Sequence, residues 1–255
     1  MTKKRLDLIL FEHGFFDTKN AAASAILARN VKINGEFITK AGQLFDEDKL
    51  FDENNPADII VQTLPYVSRG GLKLEHALKT FNIDLKDKIC IDMGASTGGF
   101  TDCMLQFGAK FVYALDCGYN QLSWKLKNDS RIKSIEKINV KTCSFNEVYS
   151  KDEPVADFMS MDLSFISIKK VLENCKKLIS DSASAVILIK PQFEADRSDI
   201  QKGGVVKDEK IREKIIEDIK EYCYSTGFET LGIVQSPILG AKSKNIEYLI
   251  YLRRI

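Results

Sequence analysis

The stretch Lys88-Ile-Cys-Ile-Asp92-Met-Gly94-Ala-Ser-Thr-Gly98-Gly99-Phe100 carries the fold of this chain. A short apolar run ends in an acid and a glycine-rich turn, and an apolar, helix-like segment from Phe100 to Phe107 follows at once. This order sets backbone amides and a helix N-terminus against a nucleotide cofactor in an α/β fold. Glycines are needed where the backbone turns tightly and meets a ligand with no Cβ in the way. Three sites share the signature: a dinucleotide site, an S-adenosylmethionine site and a nucleophile elbow, because Gly94-Ala-Ser96-Thr-Gly98 also fits G-x-S-x-G. Chain order removes the elbow. It needs a His after its Ser, and the only histidines, His13 and His76, both precede Ser96.

Downstream, strands alternate with helices. Apolar runs predict strands at 88–92, 111–115, 132–136, 155–161, 184–189, 229–235 and 246–252, and helical spacing predicts helices at 99–107, 120–127, 167–179 and 208–225. That alternation predicts a mainly parallel sheet with helices on both faces, an α/β class. Residues 191–207 show no period and read as a long loop of the kind that forms lids. Upstream the pattern differs. Arg5 to Phe15 reads as a helix closed by His13-Gly14. Asp17 or Thr18 caps a second helix, Lys19 to Arg29, and Asn34-Gly35 turns a hairpin between two short apolar runs. An acidic, irregular stretch follows from Asp46 to Asp58. The boundaries expected are a small unit over 1–60, a linker over 61–70 and the large domain over 71–255.

With 255 residues there is room for one large domain and one small one. No apolar run approaches a membrane span, and the start, Met1-Thr-Lys-Lys-Arg-Leu-Asp, lacks the apolar core of a signal peptide, so the expected compartment is the cytoplasm. The six cysteines form no C-x-x-C pair, so no metal site is expected and the thiols read as buried and reduced. The net charge of +1 hides a distribution. Residues 1–40 and 119–145 are basic and 41–58 acidic, so a basic front can coexist with an acidic back.

Ligands of open α/β sheets bind outside the carboxyl ends of the strands, which sets Asp92, Asp116, Asp162 and Lys190 along one rim. Singly, each polar residue has a plainer reading. A Lys after an apolar strand snorkels to water, Asp162 suits a turn or cap, and Glu247 suits a surface ladder. Their joint occurrence with Lys73 is what calls for explanation.

The order Lys73, Asp162, Lys190, Glu247 resembles the Lys-Asp-Lys-Glu tetrad of FtsJ/RrmJ-type RNA 2′-O-ribose methyltransferases. The strings SRGGLKL, DMGASTGGFT, ALDCGYNQLSWKL, DLSFIS, KPQFE, GGVVKD and NIEYLIYL resemble the TlyA family, often named hemolysins, and the first 60 residues resemble an S4 RNA-binding domain. The resemblance covers nearly the whole chain. It implies a Rossmann-like methyltransferase sheet behind the S4-like unit and S-adenosylmethionine as cofactor. The cofactor would be held at Asp92, Gly94, Ala95, Ser96, Thr97 and Gly98, with Asp116 on its ribose and Asn139 or Val140 near its adenine. Lys73, Asp162, Lys190 and Glu247 would be catalytic, with Lys190 removing or orienting the proton of a ribose 2′-hydroxyl, a poor nucleophile until that proton leaves. The substrate implied is cytidine in ribosomal RNA, of the large subunit and in some members also the small, presented as RNA or as a subunit. Lys3, Lys4, Arg5, Lys19, Arg29 and Lys32 would grip phosphate, which gives affinity without sequence choice, and Arg69 stands beside Lys73 in the linker. Phe100, Tyr119 and Trp124 are expected in the core rather than on the cofactor. The other readings are an NAD(P)-dependent oxidoreductase, which leaves the S4-like unit unexplained, a pore-forming hemolysin, which lacks a span, and a non-catalytic RNA-binding ribosome factor.

Overall fold

Strand β6 (Ile89–Met93) is the first strand of the large sheet in the chain, and all five of its residues are buried. The computed structural model describes residues 3–16, 18–61, 64–240 and 244–255. The chain divides into two compact units, Met1–Pro65 and Tyr66–Ile255.

The first unit runs β1 (Lys3–Arg5), α1 (Leu6–Glu12), α2 (Lys19–Leu27), β2 (Val31–Ile33), β3 (Glu36–Phe37), β4 (Leu44–Asp46), α3 (Glu47–Leu50) and β5 (Ile59–Val61). The Thr18 hydroxyl accepts from the Ala21 amide at 3.0 Å and so starts α2; Asp17, the other predicted cap, lies outside the described residues. Asn34 and Gly35 take φ of 51° and 83° between β2 and β3, the positive values that a two-residue hairpin turn demands. The acidic stretch is more ordered than its composition predicts. It carries α3 and leads into β5, which pairs antiparallel with β2. Leu6, Ile9, Leu10, Ala22, Ile26 and Val31 form the small core.

The second unit opens with α4 (Gly70–Thr80), a helix that the sequence reading did not mark. It continues through β6, α5 (Gly99–Gln106), β7 (Phe111–Leu115), α6 (Trp124–Lys127), β8 (Ile132–Ile135), α7 (Phe145–Val148), β9 (Ala156–Met161), α8 (Leu172–Lys176), β10 (Ile179–Ile189), α9 (Pro191–Glu194), α10 (Glu209–Ser225), β11 (Phe228–Gln235) and β12 (Tyr248–Arg254). Among the described residues these strands form a seven-stranded sheet in the order β11-β12-β10-β9-β6-β7-β8. The five strands from β8 to β10 are parallel, and β12 runs antiparallel to both β10 and β11. Alternate residues of each central strand sort to opposite faces. Ile91, Met93, Tyr113, Leu115, Ile187 and Ile189 join one core cluster, and Cys90, Val112, Ala114, Val186 and Leu188 the other. Burial on both faces is why these strands read as unbroken apolar runs.

Three predicted elements are corrected. The helix expected over 120–127 begins only at Trp124, because Asn120 takes a φ of 56° and breaks the turn before it. The helix expected over 167–179 is a 3-10 turn at Ile168–Lys170 followed by α8, and Ile179 already belongs to β10. The 191–207 loop contains α9, started by Pro191 at the first helical position, and a second 3-10 turn at Arg197–Asp199. Five cysteines are buried and unpaired as expected, but Cys117 is exposed.

Candidate active site

Each parallel strand ends on the same edge of the sheet, so the residue after it is delivered there. Gly94 follows β6, Asp162 follows β9 and Lys190 follows β10. Glu247 arrives by a different route. Because β12 is antiparallel, with Tyr248 opposite Ile189, the residue just before its first position lies beside the residue just after the last of β10. The sequence placed Glu247 inside a strand; it stands one residue ahead of it. Lys73 comes from the first turn of α4, on the buried face shared with Gly71, Leu74, Ala77 and Leu78.

These four side chains form a chain of alternating charge. Lys73 Nζ donates to Glu247 Oε2 at 2.6 Å and lies 3.9 Å from Asp162 Oδ2. Lys190 Nζ stands 2.5 Å from Asp162 Oδ1 and donates to Ser164 Oγ at 2.9 Å. Asp162 therefore bridges the two ammonium groups. Lys73, Lys190 and Glu247 are buried, at 8%, 9% and 3% exposure. Two lysines that deep are sustainable only because two carboxylates meet them, and removing one partner of such a pair typically costs about 3–5 kcal/mol. Gly240 makes room for this arrangement, since a Cβ there would stand 2.7 Å from Glu247 Oε1.

All four side chains line one cavity of about 610 Å³, together with the turn residues Gly94, Ala95, Ser96 and Thr97. Arg69, exposed just before α4, lines it as well. The turn is held by Gly94 and Ala95 amides that both donate to the Leu115 carbonyl at 2.9 Å. Gly94 has a φ of 85°, and a Cβ there would meet the Asp162 carbonyl oxygen at 2.9 Å. The glycine is thus required by the close passage of the two strand-end loops.

Four residues expected on the cofactor are not among those lining the cavity. Asp92 is fully buried beneath the turn, where its carboxylate accepts from the Thr101 hydroxyl at 2.7 Å and the Ser160 hydroxyl at 2.9 Å. Burial pushes it up to about 6, against those two hydrogen bonds, which hold it down, and the nearby Asp162 charge adds to the rise. Gly98 faces Leu122 and Leu126. Asp116 accepts from the Ser96 and Gly118 amides, each at 2.7 Å, so it braces the turn from outside. Asn139 is exposed and closes a local turn by accepting from the Lys141 amide at 3.0 Å. Of the aromatics expected in the core, Phe100 is buried, whereas Tyr119 is 68% and Trp124 82% exposed.

Several cavity residues were missed. Ser164 follows Asp162 by two and meets Lys190. Phe165, at a φ of 65° and 83% exposed, pairs with Phe193 at 5.2 Å between ring centroids. The DLSF and KPQF strings contained both aromatics, but nothing in their spacing distinguished a cavity wall from a core. Asn245 also escaped notice. Its amide donates to the Gly204 carbonyl at 2.8 Å and its oxygen accepts from the Val206 amide at 2.9 Å, which ties the 201–207 segment to the start of β12. Arg212 adds a second tie, donating to the Val206 and Lys207 carbonyls and the Tyr248 hydroxyl.

In the first unit Lys3, Lys19 and Arg29 are exposed, and Lys32 lies over the Phe37 ring at 4.4 Å. Lys4 is engaged by Glu12 and Glu47, and Arg5 by Asp7 at 2.7 Å. Among the described residues no helix is long and apolar enough to cross a membrane, and no group of three His, Cys, Asp or Glu is placed to hold a metal ion.

Residues 66–254 match the family described as FtsJ-like methyltransferase, and residues 4–49 match the S4 domain. Hemolysin A of Brachyspira hyodysenteriae is 44% identical over 97% of this chain and 98% of that protein. The 16S/23S rRNA (cytidine-2'-O)-methyltransferase TlyA of Mycobacterium tuberculosis is 34% identical over 98% of this chain and 90% of that one. A solved structure of a hemolysin-named protein from Streptococcus thermophilus superposes with a TM-score of 0.75 at 41% identity, covering 100% of this chain and 89% of the other. With a family match over most of its length and relatives of this identity over nearly all of it, the chain belongs to the TlyA family, an S4 domain followed by an FtsJ-like methyltransferase domain.

Proposed function

We propose that this protein transfers a methyl group from S-adenosylmethionine to the ribose 2′-hydroxyl of a cytidine in ribosomal RNA, with the large subunit as the first target to test. The observation that carries this is the alternating chain Lys190–Asp162–Lys73–Glu247 lining one cavity together with the glycine turn. The M. tuberculosis relative's name states this reaction.

The turn suits the cofactor. Gly94 to Thr97 line the cavity, Gly94 lacks the Cβ that would strike the Asp162 carbonyl, and Asp116 fixes the Ser96 amide. Gly94, Ala95, Ser96 and Thr97 would hold the cofactor, and when bound it supplies an electrophilic methyl on a sulfonium. The remaining work belongs to the chain. Lys73 lies against two carboxylates and serves as the fixed cation that holds Asp162 and Glu247 in place. Lys190 shares only Asp162 and reaches Ser164, so it is the amine assigned to receive the 2′-hydroxyl proton on Nζ, after first releasing one of its own protons to solvent. Asp162 then stabilises the ammonium so formed. Holding the acceptor oxygen in line with the methyl supplies much of the acceleration, since orientation alone can be worth about 7–11 kcal/mol. The apolar faces of Phe165 and Phe193 suit a base turned out of its stack. The S4 domain grips RNA through Lys3, Lys19, Arg29 and Lys32.

The test is incubation with tritiated S-adenosylmethionine and separated ribosomal subunits, beside Lys190→Ala. Labelled 2′-O-methylcytidine is expected with the wild type. The variant should lose about 10²–10⁴ in rate, the usual worth of a positioned proton acceptor, and keep its cofactor affinity. Label appearing equally in both would remove Lys190 from the chemistry. Cofactor binding with no labelled RNA of either subunit would sink the assignment in favour of a non-catalytic ribosome factor.

A further inference from the structure

Past Met161 and Ile189 the neighbouring strands β9 and β10 end, and the loop that leaves each one carries part of the cavity wall. After β9 come Asp162, Ser164 and Phe165, and after β10 come Lys190 and Phe193; all five line the cavity. Phe165 holds a φ of 65°, a conformation that a side chain keeps only where its surroundings impose it. One carboxylate joins the far ends of the two loops. Glu194, the last residue of α9, accepts from the Ser167 hydroxyl at 2.5 Å and from the Ile168 amide at 2.8 Å.

Ser167 is committed on its other side as well. Its oxygen accepts from the Lys169 amide at 3.1 Å and so caps the 3-10 turn Ile168–Lys170. The first amide of a helical turn has no partner within that turn, and Glu194 supplies one to Ile168. The turn is a fixed post. Ile168, Val171 and Leu172 are buried in the core, and the Tyr222 hydroxyl on α10 donates to the Lys169 carbonyl at 2.6 Å. Glu194 is not comfortable where it stands. Burial pushes its carboxyl up, against the two hydrogen bonds and the charges of Lys169 and Lys170, which hold it down. Leu163, Ile166, Ile168 and Phe193 border a void of about 10 Å³ beside it, so packing does not close this joint and the hydrogen bonds must.

We propose that Glu194 is a positioning residue for the methyl transfer: its carboxylate clamps α9 to the 3-10 turn, and so sets Lys190 against Asp162 and the Phe193 ring against Phe165. The inference rests on the methylating reading and adds a residue that is not among those lining the cavity. Its effect is geometric. Lys190 and Phe193 precede Glu194 on one loop, and Asp162 and Phe165 precede Ser167 on the other. A slip at the clamp therefore reaches the reacting groups, where a misplacement of about 1 Å can cost about 10²-fold in rate.

The measurements use the full-length protein with tritiated S-adenosylmethionine and ribosomal subunits. Glu194→Ala should lower kcat about 10–100-fold, while its affinity for S-adenosylmethionine, read by calorimetry without RNA, stays that of the wild type. Glu194→Gln should restore most of the rate, because its amide keeps an acceptor for Ile168 and can donate to the Ser167 oxygen. Ser167→Ala removes one hydroxyl only and carries the test if Glu194→Ala fails to fold. It should lower kcat severalfold and add little on top of Glu194→Ala, as for two ends of one contact. Amide exchange across 163–168 should rise in Glu194→Ala with β6 still protected. An unchanged kcat in Glu194→Ala overturns the proposal, and so does Glu194→Gln as slow as Glu194→Ala. Loss of cofactor affinity, or of protection throughout the sheet, would make Glu194 a residue of the fold alone and reject its positioning role. Each of these leaves the methylating reading standing. Wild-type protein that labels no RNA, while Glu194→Ala still frees 163–168, would sink that reading and the positioning role with it.

Discussion

Asp92 shows how a residue can belong to a functional motif without touching the ligand. It lies near the end of β6, and its carboxylate holds α5 through Thr101 and β9 through Ser160 beneath the glycine turn. Its folded value of about 6 lies above the ordinary carboxylate value, so the folded chain keeps the proton after the unfolded chain has released it. Folding stability from this group is therefore fully present below about pH 4 and declines as the pH rises to about 6, with a loss on the order of 3 kcal/mol. Asp92→Asn retains a polar group able to bond both hydroxyls and carries no such slope. In chemical denaturation from pH 4 to pH 7, the difference in unfolding free energy should move steadily in the variant's favour. A difference that does not change with pH would mean that Asp92 is charged at no cost. The sequence reading put this acid on the cofactor, but side-chain direction at a strand end depends on register, and register is invisible in a single strand's residues.

At the scale of elements, the parallel strands were legible because burial on both faces makes them apolar throughout. The tetrad residues were legible as positions but not as a network. Asp162 and Lys190 follow strands, so the rule of carboxyl ends finds them. Glu247 precedes a strand, and only the antiparallel pairing of β12 with β10 explains its presence. Helix α4 was missed because two glycines, poor helix formers, stand at its start across the expected linker boundary, although Gly71 is needed where a Cβ would strike the Tyr66 ring at 2.3 Å. The exposed aromatics were misjudged for a related reason: α6 is a single turn, too short to show a period. Of the stretch over 191–207 that read as one long loop, only its later part, 201–207, holds no helical turn, yet Asn245 and Arg212 give that part a definite seat. Asn245→Ala would strand the Gly204 carbonyl and the Val206 amide, at a cost of about 1–3 kcal/mol. Amide exchange across 201–207 should rise in that variant while the strands β6 and β9 stay protected, and kcat should fall as the loop leaves its seat. Unchanged exchange in the loop would show that Arg212 alone seats it.

For the whole molecule, the near-zero net charge conceals a division of labour. Among the basic residues of the first unit, Lys4 and Arg5 already form ion pairs with carboxylates, whereas Lys19 and Arg29 form none with a described residue and are exposed. Replacing Lys19 and Arg29 with Ala should lower RNA affinity across sequences and flatten its dependence on salt, by about 0.7–0.9 in log–log slope for each phosphate no longer neutralised. Lys4→Ala should flatten it less, because Glu12 and Glu47 compete for that ammonium. Equal slopes for all the variants would place the electrostatic grip elsewhere.

The antiparallel β12 has a consequence in time. Lys73 and the carboxylate that receives it are 174 residues apart, and that carboxylate is the last of the four charges to be synthesised. A nascent chain can complete the glycine turn, the parallel strands and both lysines while Lys73 still lacks Glu247. The chain of four charges thus cannot close during elongation until the final strand of the sheet has emerged and found β10. A ribosome making this protein is therefore facing an unfinished enzyme for nearly the whole of its synthesis, and a chain stalled before Glu247 would carry the glycine turn and both lysines without the closed network of charges.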